Sequence, residues 1–547
     1  MRAITRRGFI GLKLMRCYAN KQFRSISYQK RAMSASMDSY DAVVIGGGSG
    51  GISFAREANR FGARVAILNY VRPTSHGTAY GIGGTCVNVG CIPKKIMHHA
   101  AGMSTAAVEA GSFGWDWSAR GSVNWTQLVS GVQDYIHGQN FGYRTALREE
   151  GIELVESWGR LTSSGQADRL GIECLRPVDP LPHQASAGLQ DRDPAQYTHA
   201  IPGSASAGDT PWSVHRTLTS KHAVIAVGGR PVLPSPSELP GVHHAITSDD
   251  LFSLPRTPGR TVVVGGGYVA LETAGLLNGL GFETTLVLRS VPLRGFDSEM
   301  AGRVLCSLEA EGVRVLRGCV PASIVETRDW LSSRVANAGL RVHFKAHGTV
   351  VSGTMGSNAA SPEGATDAGA PDPIDADTVV MATGRRVLTQ GLGLEALGVS
   401  MEPSTGKILC YDKQRTETAQ CADRANIHAI GDVVAGRQEL TPVASRAGKV
   451  LARHLFSHLA RSNPQLVSWA TGRQGLSNLG GQEALPAASK PGQQLSFDSL
   501  FNSPGPREQQ KGLSASESPR TNAPLDFASL LTPKPVGDIS LDLSSLK

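Results

Sequence analysis

Two cysteines, Cys86 and Cys91, lie five positions apart within Gly83–Lys95, a segment that also carries a glycine pair and a lysine pair. Closely spaced thiols beside basic side chains are suited to thiolate chemistry, including reversible disulfide formation. The glycine pair lets backbone approach a flat ligand closely. A structural thiol pair or a zinc site is the alternative, although no second cysteine pair has ligand spacing. The segment alone leaves these alternatives open.

The spacing of the two thiols sets a condition on the backbone. Residues five apart on a straight helix are rotated by roughly 140° and separated by about 7.5 Å of rise. A disulfide requires Cα atoms roughly 4.4–6.8 Å apart, so a helix must begin or bend between Cys86 and Cys91. Gly90 and the β-branched Val87 and Val89 favour that distortion.

A strand, a glycine-rich turn and a helix precede this segment. Tyr40–Ile45 is a short apolar run typical of a buried parallel strand, and a helical pattern runs to about Arg60. The next strand is predicted at Arg64–Leu68, which completes a βαβ unit. The glycines between strand and helix have the GxGxxG spacing of a dinucleotide-binding turn; they are Gly46, Gly48 and Gly51.

Each glycine of this turn has a separate purpose. Gly46 permits the tight turn, Gly48 lets backbone reach a pyrophosphate, and Gly51 lets helix and strand pack closely. The helix N-terminus then faces the phosphate charge. Asn69 stands where a ribose-binding carboxylate is usual. Its amide can still hydrogen-bond a hydroxyl, but less strongly than a carboxylate would.

A second unit of the same kind begins with an apolar strand at Thr261 and ends with a strand at Thr284–Leu288. Its turn contains Gly265 and Gly267, which keep the close approach to phosphate. Ala270 takes the third motif position and is small enough to pack against a strand. The sequence therefore predicts two nucleotide sites.

Basic and hydroxyl side chains follow the last strand of the second unit at Arg289, Ser290 and Arg294. A site specific for NAD would usually carry a carboxylate here, whereas arginine fits a 2′-phosphate. A solvated surface charge is the alternative for either arginine alone. Their joint position favours NADPH over NADH.

From about Tyr40 to Phe456 the chain resembles the flavoprotein disulfide reductases, and among them the large-type thioredoxin reductases. The blocks that carry the resemblance are Gly83–Ala100, Asn140–Glu149, Ser248–Leu254, Gly267–Gly275 and Leu288–Asp297. The cysteine motif is shared with glutathione reductase, which is the close alternative. The resemblance implies that NADPH passes hydride to FAD, and that the flavin reduces a Cys86–Cys91 disulfide. The dithiol would then reduce thioredoxin or a similar disulfide.

The resemblance also implies residue roles. Cys86 would be the interchange thiol that attacks the acceptor, and Cys91 the charge-transfer thiol at the flavin. Lys94 would lie beside flavin N5 with Glu272 as its paired carboxylate, and Tyr268 would cover the flavin until nicotinamide displaces it. The further cofactor contacts that it implies are Thr85, Asp432 within His428–Asp432, and Thr441, which opens a helix with Pro442.

The expected fold is α/β, with two Rossmann-like dinucleotide-binding domains and a disordered C-terminal tail. The FAD domain is interrupted by the NADPH domain. The predicted boundaries are 38–231 and 387–456 for the FAD domain, 232–386 for the NADPH domain, and 457–547 for the tail. Solvent loops rich in Gly, Ala, Ser, Asp and Pro are expected as insertions at about 180–211 and 348–373.

The C-terminal segment lacks two features of the enzymes that the chain resembles. Their partner subunit supplies a His-Glu dyad from an interface domain, and a cysteine-containing tail passes electrons to thioredoxin. No His-Pro dipeptide occurs in this sequence, and the last cysteine is Cys421. We therefore expect this polypeptide to lack the dimer-forming domain of a homodimeric family. The alternative from another class is an FAD- and NADPH-binding protein with only diaphorase-type activity.

The net charge of +8 arises mainly from the N-terminus, where nine basic residues precede the first acidic residue, Asp38. The remainder of the chain is close to neutral, which argues against nucleic-acid binding. A basic, serine-containing, acid-free leader over residues 1–37 is typical of a mitochondrial transit peptide. Lys13 interrupts its apolar stretch, which argues against a membrane span. Met33 or Met37 could also start a cytosolic form.

The eight cysteines lack disulfide-framework spacing, which favours a reducing compartment, and no metal site is predicted.

Overall fold

A computed structural model of the protein describes residues 38–115, 122–166, 168–178, 212–327, 339–347, 370–411, 415–416 and 426–461. The predicted leader, the insertion at 180–211, most of the insertion at 348–373, Cys421 and nearly all of the predicted tail lie outside these ranges. The interpretations of those segments stay predictions.

The described residues form a mixed α/β fold, which confirms the predicted class. The helices are α1 Ser49–Arg60, α2 Gly84–Val89, α3 Cys91–Gly111, α4 Trp125–Glu149, α5 Ser248–Leu251, α6 Tyr268–Gly279, α7 Ser298–Ala310 and α8 Thr441–Arg461. The strands are β1 Ser39–Ile45, β2 Val65–Leu68, β3 Glu153–Val155, β4 Trp158–Ser163, β5 Leu170–Pro177, β6 Trp212–Ile225, β7 Gly229–Pro231, β8 Ile246–Thr247, β9 Thr261–Val264, β10 Thr284–Leu288, β11 Arg314–Arg317, β12 Cys319–Glu326, β13 Leu340–Ala346, β14 Ile374–Ala376, β15 Thr378–Met381, β16 Arg385–Val387, β17 Cys410–Tyr411, β18 Arg415–Thr416 and β19 Ile427–Ala429.

The first sheet is built around the predicted βαβ unit. β1 lies at the centre of the parallel region and pairs with β2 and β6, while β3 and β19 extend that region on either side. β2 and the carboxyl-terminal parts of β1 and β6 are apolar and buried, as is typical of a parallel sheet with both faces covered. Phe54 of α1 is fully buried and meets Phe456 of α8 edge to face, with ring centroids 6.3 Å apart. Full burial of such a side chain contributes roughly 1.5–3 kcal/mol.

The last helix runs past the domain end predicted at 456. α8 continues to Arg461. Leu455 and Leu459 pack beside Phe456 against the core of the first sheet, so the apolar face of the helix extends beyond the predicted boundary. Early in the same helix, Gly448 allows close contact with α1, because a Cβ atom there would lie 2.4 Å from the carbonyl oxygen of Gly50.

The second sheet is entirely parallel, with strand order β11-β10-β9-β15-β8. Its central β9-α6-β10 unit is the second predicted βαβ unit. These strands lie between β6 and β17 in the sequence, so the chain leaves the first sheet, forms the second, and returns to the first. In both sheets the glycine turns follow the carboxyl end of a parallel strand, which is where α/β folds bind ligands.

Candidate active site

The two thiols lie on either side of a helix break. α2 carries Cys86 and α3 begins at Cys91, while Gly90 between them has a non-helical backbone with φ −142° and ψ −117°. A Cβ atom at Gly90 would lie 3.0 Å from the carbonyl oxygen of Thr85. The bend predicted from the cysteine spacing is therefore confirmed.

The break brings the two thiols close enough that each shifts the pKa of the other. Both thiols are free, Cys86 half-buried and Cys91 more exposed. The hydrogen bond from Cys91 lowers the pKa of Cys86 to about 6, with a smaller contribution in the same direction from the Thr441 hydroxyl, while burial opposes the shift. The same hydrogen bond raises the pKa of Cys91. The two shifts have opposite directions and favour Cys86 as the thiolate and Cys91 as the protonated thiol.

The segment before Cys86 is docked directly on the first glycine turn. The backbone N–H of Gly83 donates to the carbonyl oxygen of Gly47 at 2.9 Å. Gly83 and Gly84 have φ values of 115° and 72°, a region that L side chains rarely adopt. A Cβ atom at Gly84 would also lie 2.8 Å from the Cα atom of Gly48. The redox segment and the candidate phosphate loop thus meet backbone to backbone.

A single cavity of about 400 Å³ brings most of the predicted site residues together. Its walls come from the first glycine turn, the redox segment, the start of α6 and the start of α8. The predicted site residues that line it are Gly46, Gly48, Asn69, Thr85, Cys86, Cys91, Lys94, Tyr268, Glu272, Asp432 and Thr441. The cavity is thus shared by residues of both βαβ units.

An ion pair at this cavity joins the redox segment to the second unit. Nζ of Lys94 on α3 lies 2.7 Å from Oε1 of Glu272 on α6. The two side chains are 28% and 44% exposed, so the pair contributes little to stability, roughly 0–1 kcal/mol. Tyr268 begins α6 and is 52% exposed, which leaves its ring free of core packing. These side chains line the cavity and contribute little to the hydrophobic core.

Polar groups for a hydroxylated ligand lie elsewhere on the cavity wall. Asp432 lies in a short turn after β19, where burial raises the pKa of its carboxyl group and the nearby Glu439 acts in the same direction. Asn69 follows β2 and lies beside Gly47, since a Cβ atom on that glycine would lie 2.6 Å from Oδ1 of Asn69. Both side chains can bind hydroxyl groups.

Sequence reasoning missed the charged residues Arg385 and Glu439, which also line the cavity. Nη2 of Arg385 donates to Oγ1 of Thr85 at 3.2 Å. The sequence position of Arg385 could have indicated its place in the site. Arg385 follows the buried parallel strand β15, and ligands bind beyond the carboxyl ends of such strands. Glu439 forms an ion pair with Lys407 at 2.6 Å, a long-range contact that no local pattern indicates.

The glycines of the second turn do not line the cavity, although Tyr268 directly after them does. Gly265 has φ 143°, and a Cβ atom there would lie 2.3 Å from the carbonyl oxygen of Ala382. Ala270 is fully buried, whereas nothing lies within 4 Å of a Cβ atom built at Gly267. The predicted phosphate-binding residues Arg289, Ser290 and Arg294 are exposed near this turn and do not line the cavity.

The residues of the cavity fit a flavin dinucleotide. The first glycine turn is a cradle that side chains would fill, because Cβ atoms at Gly46 and Gly51 would lie 2.3 Å from the oxygen of Ala226 and 2.0 Å from the oxygen of Gly46. The N-terminus of α1 supplies N–H groups for a pyrophosphate. Asn69 and Asp432 offer partners for sugar hydroxyls.

No helix among the residues described above is long and apolar enough to cross a membrane.

Comparison with known proteins gives matches over most of the chain. Residues 40–448 match the family described as pyridine nucleotide-disulphide oxidoreductase. "Thioredoxin reductase 2, mitochondrial" of Drosophila melanogaster is 36% identical over 464 residues, which cover 84% of this chain and 74% of that protein. "Thioredoxin reductase SEP1" of Emiliania huxleyi is 35% identical over 434 residues, which cover 78% of this chain and 72% of that protein.

Proposed function

The chain belongs to the pyridine nucleotide-disulphide oxidoreductase family, and from this premise we propose that it is an NADPH-dependent thioredoxin-disulfide reductase that uses FAD. One observation carries the proposal: a free thiol pair lines the same cavity as a dinucleotide-type glycine turn and the ion pair between Lys94 of α3 and Glu272 of the second unit. Both relatives are named thioredoxin reductases, which favours thioredoxin over glutathione disulfide as acceptor.

The chain's own residues would bind and orient the cofactors. FAD, when bound, supplies two-electron transfer from a nicotinamide to a disulfide. Gly46 and Gly48 would hold its pyrophosphate, Asn69 a ribose hydroxyl and Asp432 the ribitol chain, with Thr85 and Thr441 as further contacts. Lys94, paired with Glu272, would place positive charge beside the flavin. Tyr268, which lines the same cavity, would cover the flavin until nicotinamide displaces it.

Thiol exchange completes the reaction. The Cys86 thiolate attacks one sulfur of the acceptor disulfide, forms a mixed disulfide and releases the acceptor's first thiolate. Cys91 then attacks the sulfur of Cys86, releases the second thiolate and leaves a Cys86–Cys91 disulfide. The Cys91 proton goes to a released thiolate, and one further proton comes from solvent or a donor group. No histidine among the described residues lines the cavity, so we infer that this donor lies elsewhere.

The substrate is tested with purified full-length protein, NADPH and either thioredoxin or glutathione disulfide. We expect oxidation of NADPH to depend on thioredoxin and to be slow with glutathione disulfide. Preference for glutathione disulfide would overturn the assignment. Flavin reduction without turnover of either disulfide would favour the diaphorase alternative.

We propose that the second glycine turn binds NADPH through Arg289, Ser290 and Arg294. Nη2 of Arg294 donates to Oγ of Ser290 at 3.0 Å, so the guanidinium is held near the strand end from which Arg289 also projects. Ala270 packs beneath this turn. These groups suit a 2′-phosphate, which NADH lacks.

Replacing Arg289 and Arg294 together by leucine should raise the KM for NADPH about 10- to 100-fold, because two charge-assisted contacts are lost. The KM for NADH should change little. Initial rates of flavin reduction with each nucleotide measure both values, and the exposed Arg303 on α7, replaced by leucine, is the matched control. An equal change for NADH and NADPH would contradict the role in recognition of the 2′-phosphate.

We propose the domain division given by the sequence: 38–231 with 387–456 for FAD, and 232–386 for NADPH. The chain order of the two sheets supports it. We also propose a mitochondrial location, supported by the predicted leader and by the name of the Drosophila relative. A cytosolic form that starts at Met33 or Met37 stays a prediction.

A further inference from the structure

Two buried asparagine side chains connect α4 to the redox segment. Asn140 of α4 is 9% exposed and Asn88 of α2 is 2% exposed. Nδ2 of Asn140 donates to the carbonyl oxygen of Ile82 at 2.6 Å and to Oδ1 of Asn88 at 3.0 Å. Buried polar groups must be paired to avoid a desolvation cost, so this amide pair is tied to one geometry.

Asn88 extends the connection to the turn before α2. Its Nδ2 donates to the carbonyl oxygens of Gly84 at 2.8 Å and Gly81 at 3.2 Å. Asn140 also fits directly against this turn, because a Cβ atom at Gly81 would lie 2.3 Å from Oδ1 of Asn140. The two amides together therefore hold residues 81–84 against α4.

The opposite side of the same turn contacts the first glycine turn, through the hydrogen bond from Gly83 to Gly47. Residues 81–84 are thus held between the asparagine pair and the candidate phosphate loop. α2 starts at Gly84, and Cys86 lies within its first turn. A shift of residues 81–84 would consequently move the sulfur of Cys86 relative to Cys91 and the cavity.

We propose that Asn140 is a positioning residue for the thiol pair, which acts through Asn88 to fix the start of α2. Neither asparagine lines the cavity, so the effect is exerted through the backbone of residues 81–84 and not by contact with a ligand. The inference rests on the proposed function, in which Cys86 attacks the acceptor. Misplacement of a reacting atom by about 1 Å can reduce a rate by about 100-fold.

The test compares Asn140→Asp with Asn140→Ser in the full-length protein. Aspartate keeps the shape but turns an acceptor oxygen towards the carbonyl of Ile82 and the amide oxygen of Asn88. Serine is neutral and too short to make both contacts. The matched control is Gln133→Glu, because Gln133 on the same helix also donates its amide to a backbone carbonyl, that of Phe252 at 2.8 Å.

The main readout is the rate at which iodoacetamide alkylates Cys86, measured as a function of pH. A parallel set of variants has Cys91 replaced by alanine, so that alkylation of Cys86 can be distinguished from alkylation of Cys91. In the set that retains Cys91, we expect the alkylation midpoint of both Asn140 variants to move up towards that of an ordinary thiol. We also expect acceptor turnover to fall about 10- to 100-fold at unchanged KM for NADPH. Gln133→Glu should leave the midpoint and the turnover as in the parent protein.

The proposal is overturned if Asn140→Ser folds and keeps the parent alkylation midpoint, or if Gln133→Glu shifts it equally. Thermal unfolding and flavin content report whether each variant folds. If Asn140→Asp does not fold, Asn140→Ser decides. If the parent protein fails to reduce thioredoxin, the proposed function is wrong, but alkylation still reports on the position of Cys86, so the two failures are distinguishable.

Discussion

Replacing Cys86 with serine should abolish thioredoxin reduction, with turnover falling at least about a thousandfold, because the hydroxyl that replaces the thiolate is not ionised at neutral pH. The parent thiol has its pKa lowered to about 6 by the hydrogen bond from Cys91. Its reactivity should rise as pH increases through that value and level off above it. NADPH-dependent turnover and pH-dependent alkylation measure the two effects. Cys306→Ser, at an exposed thiol on α7, is the matched control and should leave both unchanged.

The Cys91→Ser variant separates the roles of the two sulfur atoms. It should retain the attack of Cys86 on thioredoxin but lose the resolving step, so a covalent mixed disulfide should accumulate and be visible by mass spectrometry. Cys91 is the more exposed thiol in the structure, so exposure alone would favour Cys91 as the attacking thiol. The Cys86→Ser and Cys91→Ser variants must therefore be compared. Accumulation of the mixed disulfide with Cys86→Ser instead would reverse the assignment of attacking and resolving thiols.

The break at Gly90 could be predicted from sequence because it depends on local geometry. Two residues five apart on a regular helix cannot approach within disulfide distance, and the intervening glycine relieves the conflict. The two βαβ units were predictable for a similar reason, since apolar runs and glycine spacing repeat within short segments. In both cases the information lies within about thirty residues of chain.

The contacts that complete the site required the structure, because they join residues far apart in the sequence. The bond from Gly83 to Gly47, the contact of Arg385 with Thr85 and the amide pair of Asn140 and Asn88 are of this kind. The pairing of Lys94 with Glu272 was expected only from the resemblance to known reductases. Periodicity identifies which faces of a helix are buried, but not which distant backbone carbonyl a buried amide will meet.

The Gly51→Ala variant should lose FAD and much of its stability. The added Cβ atom would lie 2.0 Å from the carbonyl oxygen of Gly46 and 3.0 Å from Cγ1 of Val44. The obstacle is backbone at the tight turn, which cannot move aside as the end of a flexible side chain could. Either α1 must shift away from β1 or the turn must open, and both changes displace the N–H groups that would bind the pyrophosphate. Overpacking of this kind costs about 1–3 kcal/mol or more.

Gly102→Ala is the control that separates this steric effect from the general effect of a methyl group. Gly102 lies within α3, and nothing lies within 4 Å of a Cβ atom built there. Alanine in a helix interior is more stable than glycine by roughly 1 kcal/mol, so this variant should be at least as stable as the parent. Visible absorbance of the purified protein measures retained flavin, and thermal unfolding measures stability. Full flavin content in Gly51→Ala would show that the first glycine turn does not hold the cofactor. A turn that holds FAD could not keep its geometry with a Cβ atom 2.0 Å from the carbonyl oxygen of Gly46.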